Sequence, residues 1–127
     1  MARPLNANVE AAPNFIANLE AAHQFFILQD ADSADTRLAR LKEDLKEMVS
    51  VLQLYPAGGR PARFMAATSM QARLRLQAVL NLADQAGLPN LREYVVGRHI
   101  VLYAHAETEV VLLSIKHQRQ LVYSADT

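Results

Sequence analysis

The alternation of apolar and polar positions divides the chain into helices first and strands last. Phe15, Leu19, Ala22 and Phe26 recur at helical spacing, Ile16 widens the stripe, and Pro13 suits a first helical position. An amphipathic helix is therefore expected from Pro13 to about Gln29. Asp30 to Asp35 reads as a polar link rich in N-cap residues. A second helix follows it, with Leu38, Leu41, Leu45, Met48 and Leu52 as its buried stripe and a charged, solvated outer face. Two prolines and two glycines between Tyr55 and Pro61 end that helix. Ala62 to Ala67 allows a short extended piece. Thr68 or Ser69 can cap a third helix carrying Met70, Leu74, Leu76, Val79, Leu80 and Ala83, which Gly87 and Pro89 stop. Arg73 and Arg75 stand in its early turns, where the helix dipole favours acids, and are candidates for contact with a partner.

From Leu91 to Tyr123 the period changes from helical to alternating. LREYVV, GRHIVLYAHA and ETEVVLLSIKHQRQLVY are rich in β-branched and aromatic residues and are punctuated by Gly97 and by Ala106-Glu107-Thr108. Three consecutive antiparallel strands are predicted, and a weak first strand is expected around Val9. Simple alternation puts Val110, Leu112 and Ser114 on one face of the last strand and Val111, Leu113 and Ile115 on the other. Both faces are apolar, so the last strand is expected to be central and covered on each side. Its polar exit, Lys116 to Gln120, is where function is sought. Helices segregated from an antiparallel sheet make the predicted class α+β, a single domain over 1–127 in which a helical hairpin and an additional helix pack on the sheet.

Composition adds exclusions. The chain has 127 residues, 51% of them hydrophobic, and no cysteine. That removes a cysteine nucleophile, thiolate metal sites and a disulfide framework. No apolar core of a signal peptide and no run of eighteen apolar residues is present, so a cytoplasmic protein that does not span a membrane is expected. Formal net charge is zero, which disfavours a generic polyanion binder. The charge is nevertheless uneven: Met1 to Tyr55 holds five basic and eight acidic residues, Pro56 to Tyr123 eight basic and four acidic. Gly58-Gly59 is a connector and not a phosphate loop, since no Gly-Lys-Ser/Thr follows. His99 and His105 lack carboxylates at ligand spacing and His23 sits alone on a helix, so no metal or other cofactor is expected.

Taken in order, the helical hairpin, the Pro/Gly-rich connector, Leu91-Arg92 opening a strand, the apolar run Gly97 to Tyr103 and the final strand ending in His117-x-Arg119 resemble the RelE/ParE superfamily of type II toxin–antitoxin (plasmid stabilization) systems. The resemblance runs from Val9 to Tyr123. It implies a growth-inhibiting toxin with two helices on a twisted antiparallel sheet, neutralised by a cognate antitoxin. Its RelE-like branch cleaves mRNA on the ribosome. On that branch His117 would protonate the leaving 5′-oxygen, Arg92 and Arg119 would neutralise the phosphorane, and Tyr123 would match a tyrosine beyond the last strand. Its ParE-like branch inhibits DNA gyrase by binding and needs no nuclease residues. Tyr94 stands where the RelE-like pattern has a second lysine, and Ile100 where it has an arginine; the chain also lacks a strong positive charge. The ParE-like branch is preferred on that ground. Outside the family, a non-toxic interaction domain remains the competing expectation, with Arg119 pairing Glu93 or Glu109 as an ordinary surface charge.

Overall fold

The computed structural model describes residues 6–62 and 70–119, with no side-chain placement for 70–73, 75 and 76. Among the described residues the elements in chain order are β1 (Asn8–Ala11), α1 (Pro13–Gln29), α2 (Ala31–Leu54), β2 (Arg60–Pro61), α3 (Met70–Ala86), β3 (Asn90–Val96), β4 (His99–His105) and β5 (Glu109–His117). The class is α+β, as the periodicities indicate. The strands form one sheet in the order β1-β5-β4-β3-β2. It is antiparallel from β2 through β5, while β1 lies parallel to β5 at the edge. Thus β4 occupies the centre, and β5 is interior, flanked by β1 and β4.

Local chemistry sets the boundaries. Pro13 starts α1, whose missing amide hydrogen costs nothing in a first turn. The expected six-residue link between the helices is a single residue. Asp30 is extended (φ −165°), its N–H donates to the Phe26 carbonyl, and its Oδ1 accepts from the Asp32 N–H at 3.1 Å. One aspartate thus closes α1 and caps α2, so helix resumes at once. Gly87 (φ +70°) ends α3 in the left-handed region, and Gly97 (φ +57°) makes the tight turn between β3 and β4. The short strand at Arg60–Pro61 falls inside the predicted connector. Residues 63–69, with all of the expected extended piece beyond Ala62 and the caps Thr68 and Ser69, lie outside the described residues, as do the side chains of Arg73 and Arg75.

Each face of the sheet has its own core. On one, α1 and α2 bring Phe15, Leu41, Leu45, Met48 and Leu52 against Val101, Tyr103, Val110 and Leu112. On the other, Val79 of α3 meets Ile100, Leu102, Ala104 and Leu113. Each such side chain fully removed from water contributes roughly 1.5–3 kcal/mol. The second face also buries charge: Glu93 is 2% exposed, with Arg60 Nε 3.5 Å from its carboxylate.

Candidate functional site

The exit of β5 is placed by a bulge. Leu102 pairs with Ser114 and Tyr103 with Leu112, so Leu113 is an extra residue. The skip reverses the alternation beyond it. Ile115, expected beside Val111 and Leu113, instead joins Val110 and Leu112 on the α1–α2 face. His117, two residues on, lies on that face too, opposite His99. Simple alternation failed because a bulge inserts one residue without changing composition.

Two asparagines on successive turns of α1 serve the bulge. β1 ends at Ala11, so among the described residues β5 beyond Leu112 has no strand on that side. Asn14 Nδ2 donates to the Leu113 carbonyl at 3.0 Å. Asn18 Oδ1 accepts from Ser114 Oγ at 2.6 Å and from the Ile115 N–H at 3.2 Å. Buried backbone groups require partners, and a helix supplies them here where a strand stops.

Around this exit a cleft of about 600 Å³ opens between α1, the start of α2 and the β3–β4 turn. Its apolar wall is Ala21, Ala22, Phe25, Phe26 and Ile115. Arg37, Arg98, His99, His117 and Arg119 border it, and no Asp or Glu lines it among the described residues. Arg37 lies over the Phe26 ring at 4.1 Å and its Nη1 donates to Gln29 Oε1 at 2.9 Å, so α2 presents a fixed cation to the cleft. The rings of His99 and His117 meet edge to face with centroids 5.4 Å apart. His117 Nδ1 accepts the Arg119 N–H at 3.2 Å, which assigns the proton of its neutral form to Nε2. Burial, then the charges of Arg119, Arg98, Arg37 and Lys116, hold the His117 pKa below its ordinary value. His99 is lowered by burial, then by His117 and Arg37. Protonation of both imidazoles is thus weakened, and the charge of Arg37, Arg98 and Arg119 suits the cleft to receive an anion.

Of the four residues singled out for phosphate chemistry, His117 and Arg119 are brought together. Arg92 is not with them. It pairs with Tyr103, four residues along β4 from His99, roughly 13 Å by strand rise. Its Nη1 donates to the Gly59 carbonyl at 3.1 Å, and the Gly59 N–H donates to Tyr103 Oη at 2.9 Å, tying the connector to the sheet. Tyr123 lies outside the described residues. Glu93, offered as an ion-pair partner of Arg119, is beside Arg60 on the α3 face. Among the described residues no group of three or more His, Cys, Asp or Glu could hold a metal ion, and no helix is long and apolar enough to cross a membrane.

The sequence reading missed Arg37, Phe25 and the Asn14–Asn18 pair. The last had a visible signal: two amides at i and i+4 in a helix with one formal charge, Glu20, imply a polar feature opposite them.

No protein-family model matches the chain, and no curated protein matches it significantly. Solved structures do. A chain from the chromosomal ParDE TA system of P. aeruginosa superposes with a TM-score of 0.56 at 15% identity, over 87% of this chain and 95% of that one. What this establishes is a shared fold, the α+β arrangement of hairpin and sheet found in a chain of a toxin–antitoxin system.

Proposed function

We propose that this chain is the toxin of a type II toxin–antitoxin pair and that it acts in the ParE-like manner, arresting growth by binding DNA gyrase in the cytoplasm. A cognate antitoxin is its neutralising partner. The observation that carries the reading is the likeness to the ParDE chain, which spans nearly all of that chain. The separation of Arg92 from His117 and Arg119 supports the choice of branch. Phosphoryl chemistry needs its cations around one phosphate, and Arg92 is engaged with the connector carbonyl instead. Burial and then the neighbouring cations also lower the His117 pKa, which disfavours the protonated form a general acid needs.

Induction of the gene alone in a bacterium, followed by supercoiling assays with the purified protein, tests both parts. Growth arrest and lost supercoiling are expected. Unaffected growth would remove the toxin reading and favour a non-toxic interaction domain, and full supercoiling at excess protein would remove gyrase.

The cationic cleft, with no acid lining it among the described residues, favours one alternative, a RelE-like ribosome-dependent mRNA endoribonuclease using His117 and Arg119, with Arg92 and Tyr123 as further candidates. In translating extracts that activity would cut message, and His117→Ala would abolish the cutting.

A further inference from the structure

The cleft beside the β5 exit offers aromatic surface as well as charge. Phe26 meets His99 edge to face with ring centroids 6.2 Å apart, and His99 meets His117 in the same manner at 5.4 Å. Phe26 and Ile115 are buried, whereas Phe25 at the mouth is 53% exposed. Alanines at 21 and 22 leave width beside it. A further ring laid here repeats the edge-to-face contacts that the three rings already make. The volume of about 600 Å³ falls in the range of small-molecule sites.

The cations are anchored too. Arg37 rests on Phe26 and is tied to Gln29. The Gln118 N–H donates to the Arg98 carbonyl at 2.9 Å and Gln118 Nε2 to the Gly97 carbonyl at 3.1 Å, which fastens the turn carrying Arg98 to the exit carrying Arg119. The wall's polar side chains already have partners: Asn18 Oδ1 takes Ser114 and Ile115, and Gln29 Oε1 takes Arg37. Little is left on it to read the edges of a base or a sugar. A bare inorganic anion would leave the apolar wall unfilled, and an acyl chain would fill it without using the ring edges. Planar guanidinium groups match a carboxylate. We infer that the cleft binds a small aromatic carboxylic acid, its ring against Phe25 and Phe26 and its carboxylate towards the arginines of the rim. A second copy of this chain is disfavoured, because a two-fold contact would set the same arginines against each other. The inference goes beyond the toxin reading and does not depend on the target of the chain.

The test titrates naphthoate into the full chain and follows the histidine ring signals by NMR. Naphthylmethylamine, naphthylmethanol, decanoate and uridine monophosphate serve as controls. A dissociation constant on the order of 0.1–1 mM is expected for a ligand of about a dozen non-hydrogen atoms. The signals of His99 and His117 should move. Those of His23, paired with Asp35, and of His105, about 20 Å along β4 from His99 by strand rise, should stay still. Phe25→Ala and Arg98→Gln, both at exposed positions, should each weaken binding roughly fivefold and leave the circular dichroism melt unchanged. Equal binding of the amine or the alcohol would overturn the role of the arginines, and equal binding of decanoate the role of the rings. Tighter binding of the nucleotide, a dimer in sedimentation that Phe25→Ala dissolves, or shifts that ignore both substitutions would overturn the site. So would still His99 and His117 signals up to about 5 mM naphthoate.

Discussion

Asn18 is the residue on which the geometry of the β5 exit turns, and Asn18→Ala measures it. The substitution deletes one acceptor, Oδ1, and strands two donors: the hydroxyl of Ser114, which is fully buried, and the N–H of Ile115. A buried donor left without its acceptor costs about 1–3 kcal/mol. Ser114 makes a further interaction and the Asn14 amide is close enough to re-aim, so the sum falls to about 2–3 kcal/mol. Against a typical total of about 5–15 kcal/mol that is a large fraction. For a chain of this length it lowers the melting temperature by roughly 10 °C. Urea titration followed by circular dichroism reads the change, with Asn18→Asp as the control. A carboxylate accepts both bonds, so it should stay within about 1 kcal/mol of the parent. A double-mutant cycle with Ser114→Ala should return a coupling of about 1 kcal/mol. A loss below about 0.5 kcal/mol for Asn18→Ala, or equal losses for alanine and aspartate, would refute the claim that α1 completes the strand where β1 ends.

Three further outcomes follow from the same structure. Gly59→Ala puts a Cβ against the Glu93 carbonyl oxygen and 2.8 Å from Tyr103 Oη, so it should cost about 2–4 kcal/mol in urea titration by displacing the connector from the sheet. Glu93→Ala removes the buried carboxylate beside Arg60 and should cost about 2–4 kcal/mol, less when Arg60→Met is added; strict additivity of the two would argue against the pair. Burial comes first among the causes that lower the pKa of His99, His105 and His117, and protonation is therefore weaker in the folded chain. Their contribution to stability is then complete above the unfolded value of about 6.5 and is lost as pH falls through it towards the lower folded values. Urea midpoints measured down to about pH 5 should decline, and less steeply in His99→Gln; a flat profile would contradict the burial argument.

How much of this was legible in the chain differs between its two halves. Helices α1, α2 and α3 and strands β3 to β5 were readable because their apolar periods extend over many residues and are cut by Pro, Gly and Asp at the right places. The helix-to-helix link was overestimated because Asp30 does the work of a whole loop, capping one helix with its backbone and the next with its side chain. β1 was faint since four residues at an edge carry little pattern, and its parallel pairing depends on β5, a hundred residues away in sequence.

The candidate site shows the same division more sharply. Composition and period alone determined that an α+β chain without cysteine would end a buried strand in a cationic His117-x-Arg119 exit. Only tertiary structure decided which way that exit faces. One extra residue at Leu113 turns Ile115 and His117 towards the hairpin, and asparagines ninety-odd positions upstream satisfy the backbone that the bulge leaves open. Pairing likewise carried Arg92 to the Gly59 carbonyl and brought Arg37 and Phe25 to the cleft in its place. The physical reason is that side-chain period is a local property, fixed by dihedral geometry, whereas register, bulges and the meeting of distant charges are set by which surfaces the whole chain can bury at once.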